Sequence, residues 1–326
     1  MYLFFDESGD FTLPQGIRKV SLIASLICPD SHLCALEDYF KFILKDVPFP
    51  EEEIKGDNLP YSIRLRLCHF IGQSNHYKIT VIFVDSSITS KRQLDSFRIE
   101  SARLADHHKS KYLAKGSPDP NVIREFDKVI KQHLLPTRFS DSEYLQWLLS
   151  YNNFRDTLQH SIAFYLDYSL AEDFNEYHFI YDKKGPKLTM LEKWIKHNLS
   201  SIIDRSSKLN LIDPLLVPTT WRNNHPFVQK YGTTNGIDLT RLFKNTVVFD
   251  ESSFHIGLQL IHIISNTIYR HLTDLNEDNL RCFRLIRNSL CAKGGNDFNG
   301  FLIDNCKPGD VFASLNPNYE EGTSNT

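Results

Sequence analysis

The sequence predicts an α/β fold with a mixed sheet, and three observations carry that prediction. Short apolar runs bounded by turn chemistry alternate with segments whose apolar residues recur at helical spacing. Four of those runs stop at an aspartate: Tyr2–Phe5 at Asp6, Lys78–Val84 at Asp85, Tyr177–Tyr181 at Asp182 and Thr246–Phe249 at Asp250. Between the early runs and the later ones lies a long stretch, residues 90–175, with helical periodicity and little strand signal.

The elements follow in order. Tyr2–Phe5 and residues 20–27 predict two strands of a hairpin, with Gly16 in the connection. Leu33, Leu36, Phe40 and Ile43 predict a helix to about residue 45, ended by Pro48 and Pro50. Ile63, Leu67, Phe70 and Ile71 mark a second helix over about 61–73, and Lys78–Val84 a third strand ending at Asp85. In the long stretch, Leu94, Phe97 and Leu104 suggest one helix. Val122, Phe126, Ile130 and Leu134 suggest a second, and residues 144–170 a third. Strand 177–181, helix 187–204, strand 246–249 and helices 254–272 and 277–290 complete the pattern. Residues 1–89 and 176–312 are thus expected to form one sheet domain, 90–175 a helical insertion or lid, and 313–326 a flexible tail.

Composition narrows the class. A chain of 326 residues with 41% hydrophobic and 24% charged residues has the make-up of an ordinary globular protein. The net charge of −3 excludes a chain that is basic throughout, so any nucleic-acid contact must use local basic surface. The six cysteines form no Cys-x-x-Cys pair, which argues against a zinc site or a disulfide framework and for reduced thiols in a cytoplasmic protein. No signal peptide is expected, and no apolar run approaches the ~18 residues of a membrane span.

The acids carry the chemistry. Ligands of open α/β sheets gather at strand C-termini. If the first strand lies beside strand 177–181, Asp6 and Asp182 come together, and carboxylates that close repel unless they share a proton or a metal. Two carboxylates beside the basic turn Lys183-Lys184 suit metal-assisted phosphodiester hydrolysis, with the lysines on phosphate. The competing expectation is that Asp6 serves its own turn and Glu7 is solvated. Gln259, His262 and Asn266 share one helix face. The basic cluster His107–Lys115 and the polar loops Trp221–His225 and Asn245-Thr246 are further candidate contacts for nucleic acid.

Phe4-Phe5-Asp6-Glu7-Ser8-Gly9-Asp10 resembles the opening signature of a large prokaryotic domain-of-unknown-function family, number thirty-eight hundred, which has a ribonuclease-H-like fold. Glu53-Ile54-Lys55-Gly56 resembles its second motif, and Tyr181-Asp182 stands where that family carries an aspartate at the end of a middle strand. Asp250-Glu251-Ser252 with Gly257-Leu258-Gln259-Leu260 resembles its last block. The matches scatter from residue 4 to about 270, and residues 90–175 carry none. The resemblance implies a ribonuclease-H-like sheet domain holding Mg²⁺ or Mn²⁺, and hydrolysis of RNA or DNA. Asp6, Glu7, Lys55 and Asp182 would be its catalytic residues, with Lys183, Lys184 and Gln259 on substrate. The family's genomic company further implies anti-phage defence, with a protein partner or self-association left open. One position departs: the family's Leu-Gln-Leu-Ala-Asp reads Leu258-Gln259-Leu260-Ile261-His262 here. His262 is therefore either a recruited ligand, since imidazole suits Mn²⁺ or Zn²⁺, or the mark of a degraded, non-catalytic binding or assembly subunit.

Overall fold

The computed structural model describes residues 1–14, 17–45, 59–87, 89–114, 119–134, 139–163, 172–208, 226–233, 236–242, 247–274, 276–291 and 299–300. Glu53, Lys55, the loops 221–225 and 245–246, and the tail 313–326 lie outside the described residues.

The expected α/β class and mixed sheet are observed. β1 (Tyr2–Ser8) forms the predicted antiparallel hairpin with β2 (Val20–Cys28), Phe5 opposite Ser25. β3 (Lys78–Asp85) pairs antiparallel with the other edge of β2. On the far side of β1 lies β4 (His178–Asp182), parallel to it, with Phe5 beside Tyr181. β5 (Gly232–Thr233) and β6 (Gly236–Ile237) form a small separate hairpin. β7 (Val248–Asp250) runs parallel to β4 with Asp250 opposite Asp182, and β8 (Asn299–Gly300) runs parallel to β3. The order of the large sheet is β7-β4-β1-β2-β3-β8, and only β2 is reversed. Asp6, Asp182 and Asp250 therefore share one sheet edge.

β1 is longer than the sequence suggested. It runs through Asp6 and Glu7 to Ser8, so the acids belong to the strand and not to the turn after it. The turn itself needs Gly9, whose φ of +101° falls where side chains are strained. Strand alternation then sends Phe4 and Asp6 to one face and Phe5 and Glu7 to the other.

Helices cover both faces. On the Asp6 face pack α1 (Leu33–Leu44), α2 (Tyr61–Gln73), α9 (Ile256–Thr273) and α10 (Glu277–Ile286), over Phe4, Leu22, Leu26 and Ile180. α9 comes close to β1 because Gly257 faces the Phe4 ring, where a Cβ would collide. On the Glu7 face pack α5 (Asp141–Ala163) and α6 (Met190–Lys208), over Phe5, Ile23, Ile82 and Phe179. β2 is buried at every position, as a central strand covered on both sides should be. α7 (Pro226–Tyr231) and α8 (Leu239–Leu242) contribute Phe227, Tyr231 and Leu242 to the α5 side.

Within residues 90–175, expected as a helical insertion or lid, the third helix lies directly on the sheet. α5 is a layer of the sandwich: Leu149, Phe154 and Leu158 are fully buried, and the Phe154 ring packs against Phe5 and Phe179 of the sheet. Helical periodicity alone does not say whether an apolar face meets a sheet or another helix. α3 (Lys91–Leu113) and α4 (Pro120–Leu134) pack on each other outside this layer. Lys109 of the basic cluster is spent on Asp127 of α4, 2.6 Å away.

We expect Phe154→Ala to cost about 3–5 kcal/mol of folding stability, the usual loss for a buried phenyl ring. Urea unfolding would measure it. A cost under about 1 kcal/mol would mean that α5 is a surface cover.

Candidate metal centre

Asp6 sits at the end of a central strand with its side chain wholly buried. Such a carboxylate is costly unless hydrogen bonds or opposite charge compensate it. α9 provides part of that compensation. Ser265 donates its hydroxyl to Asp6 Oδ2 and accepts one from Ser8 at 3.1 Å. His262, one turn earlier, brings Nδ1 to 3.3 Å from the same oxygen. The other oxygen, Oδ1, is buried and makes no hydrogen bond.

Asp182 reaches the same place from β4. Ligand atoms of Asp6, Asp182 and His262 all lie within 4.8 Å of one another, close enough to share one ion. Lys184, just past the end of β4, stands over the group. Its Nζ lies 3.2 Å from Glu7, 3.7 Å from Asp6 and 3.9 Å from Asp182. Its backbone N–H donates to Glu192 Oε1 at 3.0 Å. Glu192 also accepts from Thr189 N–H and, through its own N–H, donates to Thr189 Oγ1, a capping box that starts α6. On the opposite face, Gln146 of α5 donates to Glu7.

Charge and burial pull against each other here. Burial pushes the Asp6 carboxyl up, but His262, Lys184 and Ser265 outweigh it and hold it below its ordinary value. Burial pushes Glu7 up, and Lys184 only partly opposes it. Burial lowers His262, yet the neighbouring Asp6 carries it above its usual value. Lys184 is raised despite desolvation, chiefly by Glu7 and Asp6.

The other candidates divide. The His262 side chain is 25% exposed and faces Asp6, with Gln259 and Asn266 half-buried on the same stripe of α9. Gln259 lies one turn before His262 on that stripe. Lys183 turns away and pairs with Glu251 at 3.5 Å. Asp250 shares the strand edge but is engaged by His255 Nε2 and the Glu251 N–H, each at 2.9 Å. Compared with family models, curated proteins and solved structures, the chain finds no match. Ser265, Gln146 and Glu192 escaped the sequence reading. Ser265 could have been found from its i+3 spacing to His262, and Glu192 from Thr189-x-x-Glu192; Gln146 has no local signal.

The donor set fits a divalent cation. Asp6 Oδ1 is buried and accepts no hydrogen bond, with Lys184 Nζ 3.7 Å away. Two carboxylates and one imidazole suit Mn²⁺ or Zn²⁺ better than Mg²⁺, which prefers oxygen throughout.

The Asp6–His262 pair sets a pH dependence. The lowered Asp6 stabilises the fold above its ordinary value of 3.8, and that contribution is lost as pH falls through its folded value. The raised His262 contributes below its ordinary 6.5, and that contribution is lost as pH rises through its folded value. In chelator, stability should therefore decline as pH rises above 6.5, and His262→Gln should flatten that decline. Urea midpoints across pH 5 to 9 measure it, and a variant that declines like wild type contradicts the pairing.

Proposed function

We propose that this chain is a metal-dependent phosphodiesterase acting on nucleic acid, built on a ribonuclease-H-like sheet. The observation that carries the proposal is the convergence of Asp6, Asp182 and His262 at one sheet edge, with Asp6 Oδ1 buried and accepting no hydrogen bond. The strand order, with β2 alone reversed, supports the ribonuclease-H-like part. So do the motif residues of the family resemblance, since Asp6 and Asp182 are the positions it names.

In this proposal Asp6, Asp182 and His262 hold Mn²⁺ or Mg²⁺. The bound ion would polarise a phosphoryl oxygen and lower the pKa of a bound water. Ser265 orients Asp6, and α9 sets the His262 ring against it. Lys184, partly exposed above the acids, contacts the phosphate. Glu7, fixed by Gln146, keeps the Lys184 ammonium over the site when no phosphate is present.

A second reading has its own observation. Lys184 lies within ion-pair distance of all three acids and so compensates much of their charge without any ion. That arrangement suits a degraded member of the fold that binds nucleic acid or assembles with a partner.

Wild type should cleave labelled RNA or DNA with Mn²⁺ or Mg²⁺, and Asp6→Asn should lose more than about a hundredfold in rate. Equal cleavage by both proteins removes the enzyme. Mn²⁺ at a hundred times its Kd should also raise wild-type stability by about 2.7 kcal/mol, and Asp6→Asn should lose that gain. His262→Asp separates the two readings: gained activity marks a decayed site, lost activity a recruited ligand.

A further inference from the structure

α2 and α10 meet backbone to backbone. Gly72 permits the approach, because a Cβ there would collide with the Leu285 carbonyl. Cys68 stands one turn before Gly72, and Cys282 about one turn before Leu285, so the next turn of the same crossing sets the two thiols face to face. Each is at most 1% exposed, and the two sulfurs interact directly without a bond between them. Arg64 lies one turn before Cys68 on α2 and is 5% exposed. A buried guanidinium needs a negative partner, and among the described residues no carboxylate forms an ion pair with it. The anion within its reach is the Cys282 thiolate.

This pair differs from the other buried cysteines. Burial pushes the Cys28 and Cys291 thiols up, Cys291 to about 12. The Cys68 thiol and Arg64 instead hold Cys282 below its ordinary value against burial, and the contact with Cys282 raises Cys68. One sulfur is thus poised as a nucleophile, and the other stays a thiol beside it. α10 is the outer helix, with Glu277, Asp278, Arg281 and Arg284 exposed. Local opening of its 10 residues is enough to admit an oxidant the size of hydrogen peroxide.

We propose that Cys68 and Cys282 form a redox modification site, closing a disulfide between α2 and α10 when a hydroperoxide reaches them. The Cys282 thiolate attacks one peroxide oxygen and the O–O bond breaks. The sulfur becomes a sulfenic acid, and the departing oxygen takes up the proton that the thiol had released. The Cys68 sulfur then attacks the sulfenic sulfur, and its proton leaves with the displaced hydroxide as water. Each sulfur gives up one electron, and the peroxide takes the pair. The bond ties the two helices behind α9, where Thr267 meets Cys68 on the side of α9 away from Ser265. The proposal does not depend on the phosphodiesterase reading.

The test treats the reduced full chain with hydrogen peroxide, denatures it in an alkylating agent and maps its peptides without reductant. Two of the six thiols should escape alkylation, joined as Cys68–Cys282, and dithiothreitol should restore both. Cys68→Ser should stop Cys282 at the sulfenic acid, which dimedone traps, and Arg64→Gln should slow closure about tenfold. Circular dichroism checks each fold, and if a variant does not fold, the wild-type map decides. A pair that stays reduced while the exposed Cys34 oxidises overturns the site. So does a link to any other cysteine, or a closure rate that Arg64→Gln leaves unchanged.

Discussion

A carboxylate buried at the end of a central strand is the constraint on which this structure turns. Asp6 has no access to water, so its charge must be met from within the protein. Ser265 and His262 meet it from α9, and Lys184 from the turn after β4. Each of these groups depends on a larger element being in place. α9 has to lie close on β1, which Gly257 permits by leaving room for the Phe4 ring. β4 has to pair in parallel with β1, so that Asp182 and Lys184 arrive at the edge where Asp6 ends.

The alternation of β1 divides the site between two helix layers. Asp6 faces α9, and Glu7, its neighbour in sequence, faces α5, where Gln146 holds it. Lys184 is the group common to both sides. Two adjacent acids with different surroundings take different proton affinities: burial raises Glu7, while its partners hold Asp6 down. Glu7 and the acids beside Asp6 are thus neighbours across a single sheet edge, linked by one ammonium.

Much of this was legible in the residues. The short apolar runs, their turn residues and the helical spacing of α2 identified the α/β class and most elements. The strand-end acids Asp6, Asp182 and Asp250 were legible as strand termini, and they share one sheet edge. The role of α5 was not legible, because its apolar spacing is the same whether it packs on a sheet or covers a surface. His262 was ambiguous for a similar reason: Gln259, His262 and Asn266 share a face in the sequence, but only the docking of α9 on β1 sets that half-buried face beside Asp6.

The sequence by itself determined which residue types the chain could bring to a site, because runs, turns and spacing are local properties. It placed Asp6, Asp182 and Asp250 at strand ends and His262 on a polar helical stripe. Only the tertiary structure decided which of them meet. Asp250 shares the edge yet is engaged by His255, Lys183 turns to Glu251, and Gln146 reaches Glu7 with no local signal. The reason is that strand order and helix docking bring Asp6 to Asp182 and His262, and Glu7 to Gln146, across more than a hundred positions, and leave no periodic trace along the chain.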